Sequence, residues 1–596
     1  MKTIDDVHQL FANFFKNETL APFAYLLSKK LQEGHICIHK NDPALNSNEI
    51  PYEPPFNAAN LNAIHPLVGS SKDIRPFILH KDQLYLHRYF NYESRILHKI
   101  GALLKSEIAQ QVDRKNELIK IAVLIKSLQA NYPINAFLDG DSIDWQLSAA
   151  ILGVLHNFTI ITGGPGTGKT TTVAKILSLL LTINPLCKIA LAAPTGKAAM
   201  RLAETLKQTS LPVSQQIKDR FSQLKPNTIH RLLNPIADSI YFKHDQSNPL
   251  VYDVVIVDEA SMIDVALFAK LIDAIGPDTR LILLGDKNQL ASVEAGSMFG
   301  DLCKTQESPN RLNQESADFI NQFITDQERK ISNTFISTPK HPLAKHIIEL
   351  QKSHRFSGTG GIGKFSNAII TNNEAILKEF ILSNKEPAVI IDTNRDHILF
   401  ESFVAGYREY LLEPDISMAL QKLNHIRVLC AVREGPQGIY ATNRLIESFL
   451  NKQNLIDTKD EFYENRPIIV TRNYTDLALY NGDIGIIRKD SNGNMRAWFE
   501  DSDKNLRSVM PGYITGAETV FAMTIHKSQG SEYNQVLVIL PSNSGSQLLT
   551  RELLYTAVTR AKEKVIVQST ENILLETAKG SVTRASGIIH RFEEIQ

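Results

Sequence analysis

Phe158-Thr-Ile-Ile-Thr162 runs directly into Gly163-Gly-Pro-Gly-Thr-Gly-Lys-Thr170, and that into Thr171-Thr-Val-Ala-Lys-Ile-Leu-Ser-Leu-Leu-Leu-Thr-Ile183. The first stretch, short and β-branched, reads as a buried strand, and the last reads as a helix. Between them, Gly163, four residues, then Gly168-Lys169-Thr170 form a phosphate loop in the strand–loop–helix setting it requires. In the run Gly163, Gly164, Pro165, Gly166, Thr167, Gly168, the glycines let backbone N–H groups close on the β- and γ-phosphates of ATP. Lys169 adds a point charge, the helix N-terminus its dipole, and Thr170 a hydroxyl for Mg²⁺, with Thr171 ending the nucleotide-binding run. A merely structural glycine loop is the alternative, and the flanking strand and helix weigh against it.

Further strands follow the same plan. Asp253-Val-Val-Ile-Val257 ends in Asp258-Glu259-Ala260-Ser261. A carboxylate at the C-terminal end of a parallel strand faces the nucleotide, so Asp258 is placed to hold Mg²⁺ and Glu259 to deprotonate the attacking water. Arg280-Leu-Ile-Leu-Leu-Gly285 leads to Asp286-Lys287-Asn288-Gln289, where Gln289 can reach the γ-phosphate. With Lys188-Ile-Ala-Leu-Ala-Ala-Pro194, these strands alternate with helices, which predicts a doubly wound parallel sheet: an ATPase core.

A second set of strands lies at Ala388–Asp392, Ile426–Ala431, Gln535–Leu540 and Lys564–Val567, without a second phosphate loop. No Asn-Lys-x-Asp guanine motif is present, so a GTPase switch is disfavoured. Two α/β cores sharing one nucleotide site suggest a motor whose second core completes the site with cations. Arg355 in LQKSHRF and Arg560 in LLYTAVTRAKEKV are the candidates.

Composition sets the outer bounds. The 596 residues predict about four structural units at roughly 150 residues each. Hydrophobic residues at 43% and charged residues at 21% exclude a disordered or fibrous chain. No apolar run approaches the roughly 18 residues of a membrane span. Asp5, Asp6 and His8 stand where an export signal would turn apolar, so a soluble cytoplasmic protein is expected. Cys37, Cys187, Cys303 and Cys430 are too scattered for a zinc ribbon or a disulfide framework and read as buried thiols. Lys plus Arg equal Asp plus Glu at 64 each, so nucleic acid would have to bind in a local channel rather than through bulk charge.

Strings throughout the chain resemble superfamily 1 DNA helicases: DWQLSAA from Asp144, GGPGTGKT, APTGKAA from Ala193, NTIHRLL from Asn227, VDEAS, LLGDKNQL, LQKSHRF, AMTIHKSQGSEY from Ala522 and YTAVTRA from Tyr555. DEAS is similar to the 5′→3′ branch. VDEASMID, GDKNQLASVEAGSMFGD, REGPQGIYATN and LYNGDIG narrow the likeness to the RecD family, the alpha subunits of exodeoxyribonuclease V (the RecBCD complex). His354 stands where a Tyr is common in the family, and Ile525 where a Val is.

The resemblance implies two RecA-like P-loop NTPase cores, a mostly helical N-terminal domain and a small SH3-like β-barrel inserted at about 466–514. It implies an adenine-reading Gln146, Walker B acids Asp258 and Glu259, a γ-phosphate sensor Gln289, and arginine fingers Arg355 and Arg560. DNA would meet Thr195, Lys197, Thr228, His230, Thr524, His526 and Gln529. Phe356 and Tyr533 adjoin these motifs and are either base-stacking or core. Residues 1–140 would dock on RecC, 141–340 form the first core and 341–596 the second. The implied activity is ATP-dependent unwinding of double-stranded DNA ends with RecB and RecC for recombinational repair, the chain carrying no nuclease site of its own. Ile4–Lys30 reads as helical, and Pro76–Tyr92 as a hairpin turning at Lys81-Asp82. The polar segment Lys304–His341 is either a solvated linker or a strand-separating element, the linker being the simpler reading. A non-catalytic DNA-binding scaffold is opposed by intact Lys169, Asp258, Glu259, Arg355 and Arg560. A stand-alone helicase of the same branch would carry N-terminal repeats for which 1–140 is too short.

Overall fold

The computed structural model describes residues 6–46, 50–53, 56, 61, 67–129, 142–338, 340–356, 360–383, 386–501, 505–542, 548–582 and 584–592. The domain boundary expected near 140 lies outside them.

The N-terminal region combines helices with a sheet. Helices Val7–Phe14 and Ala21–Gln32 pack on strands β1 (Cys37–His39), β2 (Val68–Gly69), β3 (Phe77–His80) and β4 (Gln83–Leu86), in the order β1-β4-β3-β2. The expected hairpin is β3–β4, and Lys81 turns it with a φ of 54°. It ends at Leu86 rather than Tyr92, because a 34-residue helix, His87–Lys120, starts there. That helix buries Ile96, Leu97, Ile100 and Leu103 against the next sheet. The N-terminal region is thereby fastened to the first core by a shared hydrophobic face, each such side chain contributing roughly 1.5–3 kcal/mol.

The first core is a six-stranded sheet of β5 (Phe158–Gly163), β6 (Ile189–Ala193), β7 (Asn227–Thr228), β8 (Val254–Val257), β9 (Arg280–Gly285) and β10 (Ile347–Leu350). All pairings are parallel, in the order β10-β5-β9-β8-β6-β7. Alternate residues of one strand enter opposite cores: Val254 and Ile256 join one, Val255 and Val257 the other. Burial on both faces is what a continuous Val/Ile/Leu strand requires. β10, expected in the second core because it follows residue 341, hydrogen-bonds β5.

The segment 304–341 is not a solvated linker. Leu312, Ala317, Ile320, Phe323, Ile324 and Ile331 are buried in the first core. Asn310 exchanges two hydrogen bonds with the backbone of Glu349 and caps the sheet edge at β10.

The remaining strands are β11 (Val389–Asp392), β12 (Ile426–Cys430), β13 (Pro467–Val470), β14 (Ile484–Lys489), β15 (Met495–Glu500), β16 (Leu506–Val509), β17 (Ala517–Thr519), β18 (Ala522–Thr524), β19 (Tyr533–Ile539) and β20 (Ala561–Gln568). Five form a parallel sheet, β11-β20-β19-β12-β18, again buried on both faces. The other five form an antiparallel sheet, β16-β15-β14-β13-β17, inserted in the second. Its hairpin turns fall where glycine is needed, with φ of 97° at Gly482 and 82° at Gly493. The insertion continues past 514, since β17 pairs with β13. Near the C-terminus, helix Ile588–Phe592 returns to the N-terminal region, where Arg591 pairs with buried Glu93 at 2.8 Å.

Candidate functional site

The first sheet presents the C-terminal ends of its strands together, as the place for a ligand in an open parallel sheet. β5 ends in the phosphate loop, β8 in Asp258-Glu259, β9 in Asp286, and β6 and β7, paired at Ala193↔Thr228, in Thr195 and Thr228.

The loop has left-handed turns at Gly166 (φ 76°) and Gly168 (φ 86°). A Cβ at Gly166 would lie 2.5 Å from Arg355 Cβ, and one at Gly168 would collide with the Gln146 amide. Segment 353–355 clamps the loop: Ser353 Oγ donates to Pro165 O at 3.0 Å and the His354 N–H to Gly166 O at 2.8 Å. Gln146 Nε2 donates to Thr167 O at 3.1 Å, so the expected adenine reader here braces the loop. Lys169 Nζ donates to the carbonyls of Gly163 (2.7 Å) and Gly164 (3.2 Å).

Asp258 accepts the Glu259 N–H at 2.9 Å, and Glu259 adopts a left-handed φ of 52°, strained for a residue with a side chain. Burial, then the neighbouring Glu259 charge, pushes the Asp258 carboxyl up to about 6 against the pull of Lys169. Gln289 Nε2 donates to Asp286 Oδ2 at 3.1 Å, and the Tyr555 hydroxyl, from the second core, donates to the same oxygen at 3.0 Å.

The second core supplies the other wall. Arg560 is buried, donating to Thr556 O (3.2 Å) and Ser531 O (3.1 Å). Arg355 and Arg201 both pair with Glu532. Burial alone would raise that carboxyl, yet Arg201 and Arg355 hold it down at about 2.

Lys169, Thr170, Asp258, Glu259, Gln289, Arg355 and Arg560 thus line one cavity of about 320 Å³, together with Arg201 and Glu532. Four Lys and Arg cations face three carboxylates there. Arg355 Nη1 and Gln289 Oε1 are buried without a hydrogen-bond partner. Excess cation and an unused guanidinium N–H fit a polyphosphate, and the carboxylates that line the cavity with Thr170 fit its divalent ion.

Sequence reasoning missed Arg201 and Glu532. Arg201 stands one helical turn after Lys197 on helix Gly196–Gln208, and Glu532 lies inside the string that carries Gln529. Both signals were present.

The positions expected to meet DNA separate. Thr524 and His526 line a groove with Arg433 and Gln437. Thr195, Lys197, Thr228 and His230 do not line it. Thr195 and Thr228 accept N-cap hydrogen bonds from Ala198 and Arg231, and His230 is exposed against Phe242. Lys197 lies 6.0 Å over the Tyr533 ring, between the cores, where burial lowers its pKa. Gln529 is buried and donates to Leu290 O at 2.9 Å, so it holds the two cores together rather than facing outward. Tyr533 is a core residue, 1% exposed, and cannot stack on a base there. Phe356 is half-buried beside the Arg355 guanidinium.

Two parallel α/β sheets, a phosphate loop from one and a buried arginine from the other define a two-core P-loop ATPase of the helicase-motor class. Residues 146–295 match the AAA domain family and residues 519–568 the UvrD-like helicase C-terminal domain. The RecBCD enzyme subunit RecD of Mycolicibacterium smegmatis is 34% identical over 577 residues, 95% of this chain and 92% of that one. Its counterpart in Haemophilus influenzae is 34% identical over 557 residues, 88% and 82% of the two chains. The chain belongs to the RecD family of RecBCD enzyme subunits.

Proposed function

We propose that this chain is the ATP-driven 5′→3′ DNA translocase of a RecBCD-type enzyme, unwinding duplex ends in the cytoplasm alongside RecB and RecC partners. The observation that carries the reading is the composite cavity, with Lys169 and Asp258 from one core and Arg560 from the other. Phosphoryl transfer leaves the protein little covalent work, so catalysis is positioning plus charge neutralisation. Lys169 and the loop N–H groups would hold the β- and γ-phosphates, Thr170 and Asp258 the Mg²⁺, while Glu259 orients and deprotonates water. Mg²⁺ held there would supply positive charge to the phosphates. Arg355 and Arg560 would neutralise charge developing on the transferred group.

Because Arg560 reaches the site from the second core whereas Arg355, following β10, belongs to the first, closing on ATP and opening after hydrolysis would be a relative motion of the two sheets. The Tyr555–Asp286 bond and the contacts of Leu290 with Gln529 and Thr556 are the seams through which that motion would pass. Single-stranded DNA would run past Thr195, Thr228 and His230 on one core and Thr524 and His526 on the other, with each base stacked on an aromatic contributing roughly 1–3 kcal/mol. The antiparallel insertion would be an SH3-like barrel beside that path, since Tyr480 stacks under Arg231, next to His230, at 4.2 Å. Residues 1–140 would carry the RecC-docking surface.

The test is ATP hydrolysis and blunt-end unwinding by the assembled heterotrimer, wild type against Lys169→Gln. DNA-stimulated hydrolysis attributable to this chain, lost in Lys169→Gln with the complex still assembled, is expected. Hydrolysis by this chain unchanged in that variant would overturn the reading.

A further inference from the structure

At the opposite, N-terminal edge of the first sheet lies a cluster that the motor does not use. Glu107 of helix His87–Lys120, His156 just before β5 and His346 just before β10 are all buried. His156 Nδ1 is 3.1 Å and His346 Nε2 3.4 Å from the same oxygen, Glu107 Oε1, and the three ligand atoms lie within 4.8 Å of one another. The imidazole rings are 4.1 Å apart, centre to centre.

The hydrogen bonds fix the ring of His346. Its Nδ1 lies 3.0 Å from the Phe158 carbonyl, which can only accept, so Nδ1 carries the proton. In the neutral ring Nε2 then holds a lone pair, aimed at a carboxylate oxygen and making no hydrogen bond. A lone pair and a carboxylate oxygen facing each other out of water repel unless a positive charge sits between them.

We propose that Glu107 Oε1, His156 Nδ1 and His346 Nε2 bind a divalent transition-metal ion, Zn²⁺ in preference. Donors at roughly 2.0–2.2 Å from a tetrahedral ion lie about 3.3–3.6 Å apart, and each imidazole nitrogen is already near that spacing from Glu107 Oε1. Two imidazoles and a carboxylate are a zinc donor set, and a small fourth ligand completes it. The outer partners match as well: Nδ1–H of His346 on a backbone carbonyl, and Glu107 Oε2 accepting the Asn157 N–H at 2.9 Å. The ion would staple the long N-terminal helix to two neighbouring strands of the ATPase sheet, a structural role at the far edge from the nucleotide.

The experiment uses the full chain with Asp258→Asn, which removes the acid expected to hold metal at the nucleotide site. Chelator-stripped protein is titrated with ZnCl₂, and bound metal is counted by mass spectrometry. One zinc per chain is expected, with a zinc-dependent rise in Tm and a visible ligand-field band when Co²⁺ replaces it. His346→Gln should weaken binding by at least tenfold and abolish the band and the Tm rise. Glu107→Gln, which keeps side-chain size, serves as second variant should His346→Gln fold poorly. No retained zinc and no Tm change in the parent would overturn the site, and so would equal zinc binding by parent and Glu107→Gln.

Discussion

The guanidinium of Arg355 and the carboxylate of Glu532, 177 residues apart in sequence, form an ion pair at 2.5 Å across the mouth of the nucleotide cavity. Arg355 follows β10, on the edge of the first sheet, and Glu532 precedes β19 in the second. Arg201 meets the same carboxylate from a third element. Two of the cations that line the cavity are therefore engaged by an internal anion, which a bound polyphosphate would have to displace.

Replacing Glu532 with Gln keeps the shape and removes that competitor. Charge-assisted hydrogen bonds are worth roughly 1.5–3 kcal/mol each, so ATP affinity without DNA should tighten about tenfold or more. Titration with a fluorescent ATP analogue measures it. Weaker binding would instead mean that Glu532 itself contacts the nucleotide.

Arg560→Ala should leave ATP binding near wild type and lower hydrolysis by roughly 10³-fold or more, the range for arginine fingers. The residue is buried and already oriented by two carbonyls, so no large rearrangement is needed to use it. Single-turnover hydrolysis at saturating ATP makes the distinction. Reduced affinity with unchanged turnover would assign Arg560 to ground-state binding.

Arg591→Leu should destabilise the chain by about 3–5 kcal/mol, the cost of leaving one partner of a buried pair uncompensated. Glu93 is fully buried and its pKa is already raised, burial being the main cause. Without Arg591 it rises further, so protonation at low pH relieves the variant. The Tm deficit should be larger at pH 8 than at pH 5.5, and an equal deficit at both would separate it from the Glu93 charge.

What could be read from sequence was what is local. The run from Phe158 to Thr170 holds strand, loop and helix in consecutive residues, so neighbours alone define it. Arg355 and Arg560 were legible only because distinctive strings surround them. Their pairing with Glu532, or with the carbonyls of Ser531 and Thr556, depends on chain folding that no local pattern carries. The segment 304–341 misled through composition: its Asn residues satisfy backbone at caps and edges, Asn313 at a helix start and Asn310 on Glu349. Meanwhile Ala317, Ile320 and Ile324, at helical spacing, are buried. Gln529, carried over with the helicase strings, here satisfies the Leu290 carbonyl, a pairing that no local pattern carries.

Direction of travel is the sharpest test of the motor. A strand held by both cores moves one way only if its grips differ between the open and closed states. Here the second core offers Thr524 and His526 in a groove with Arg433, whereas Thr195, Thr228 and His230 stand at strand ends of the first. Such unequal surfaces would bias each cycle if they tightened alternately as Arg355 and Arg560 engaged and released the phosphates. Phosphate contacts should make DNA binding fall steeply with salt even though the chain's formal net charge is zero. We expect ATP-dependent displacement of streptavidin from the 3′ end of a biotinylated single strand, by a complex in which this chain is the sole active motor. Lys169→Gln should abolish it, and Arg560→Ala should slow it in step with hydrolysis. Displacement from the 5′ end alone would reverse the polarity assigned here. Absence of displacement from either end, with hydrolysis intact, would show that the ATPase cycle is uncoupled from the strand and that the contacts assigned to Thr524 and His526 are wrong.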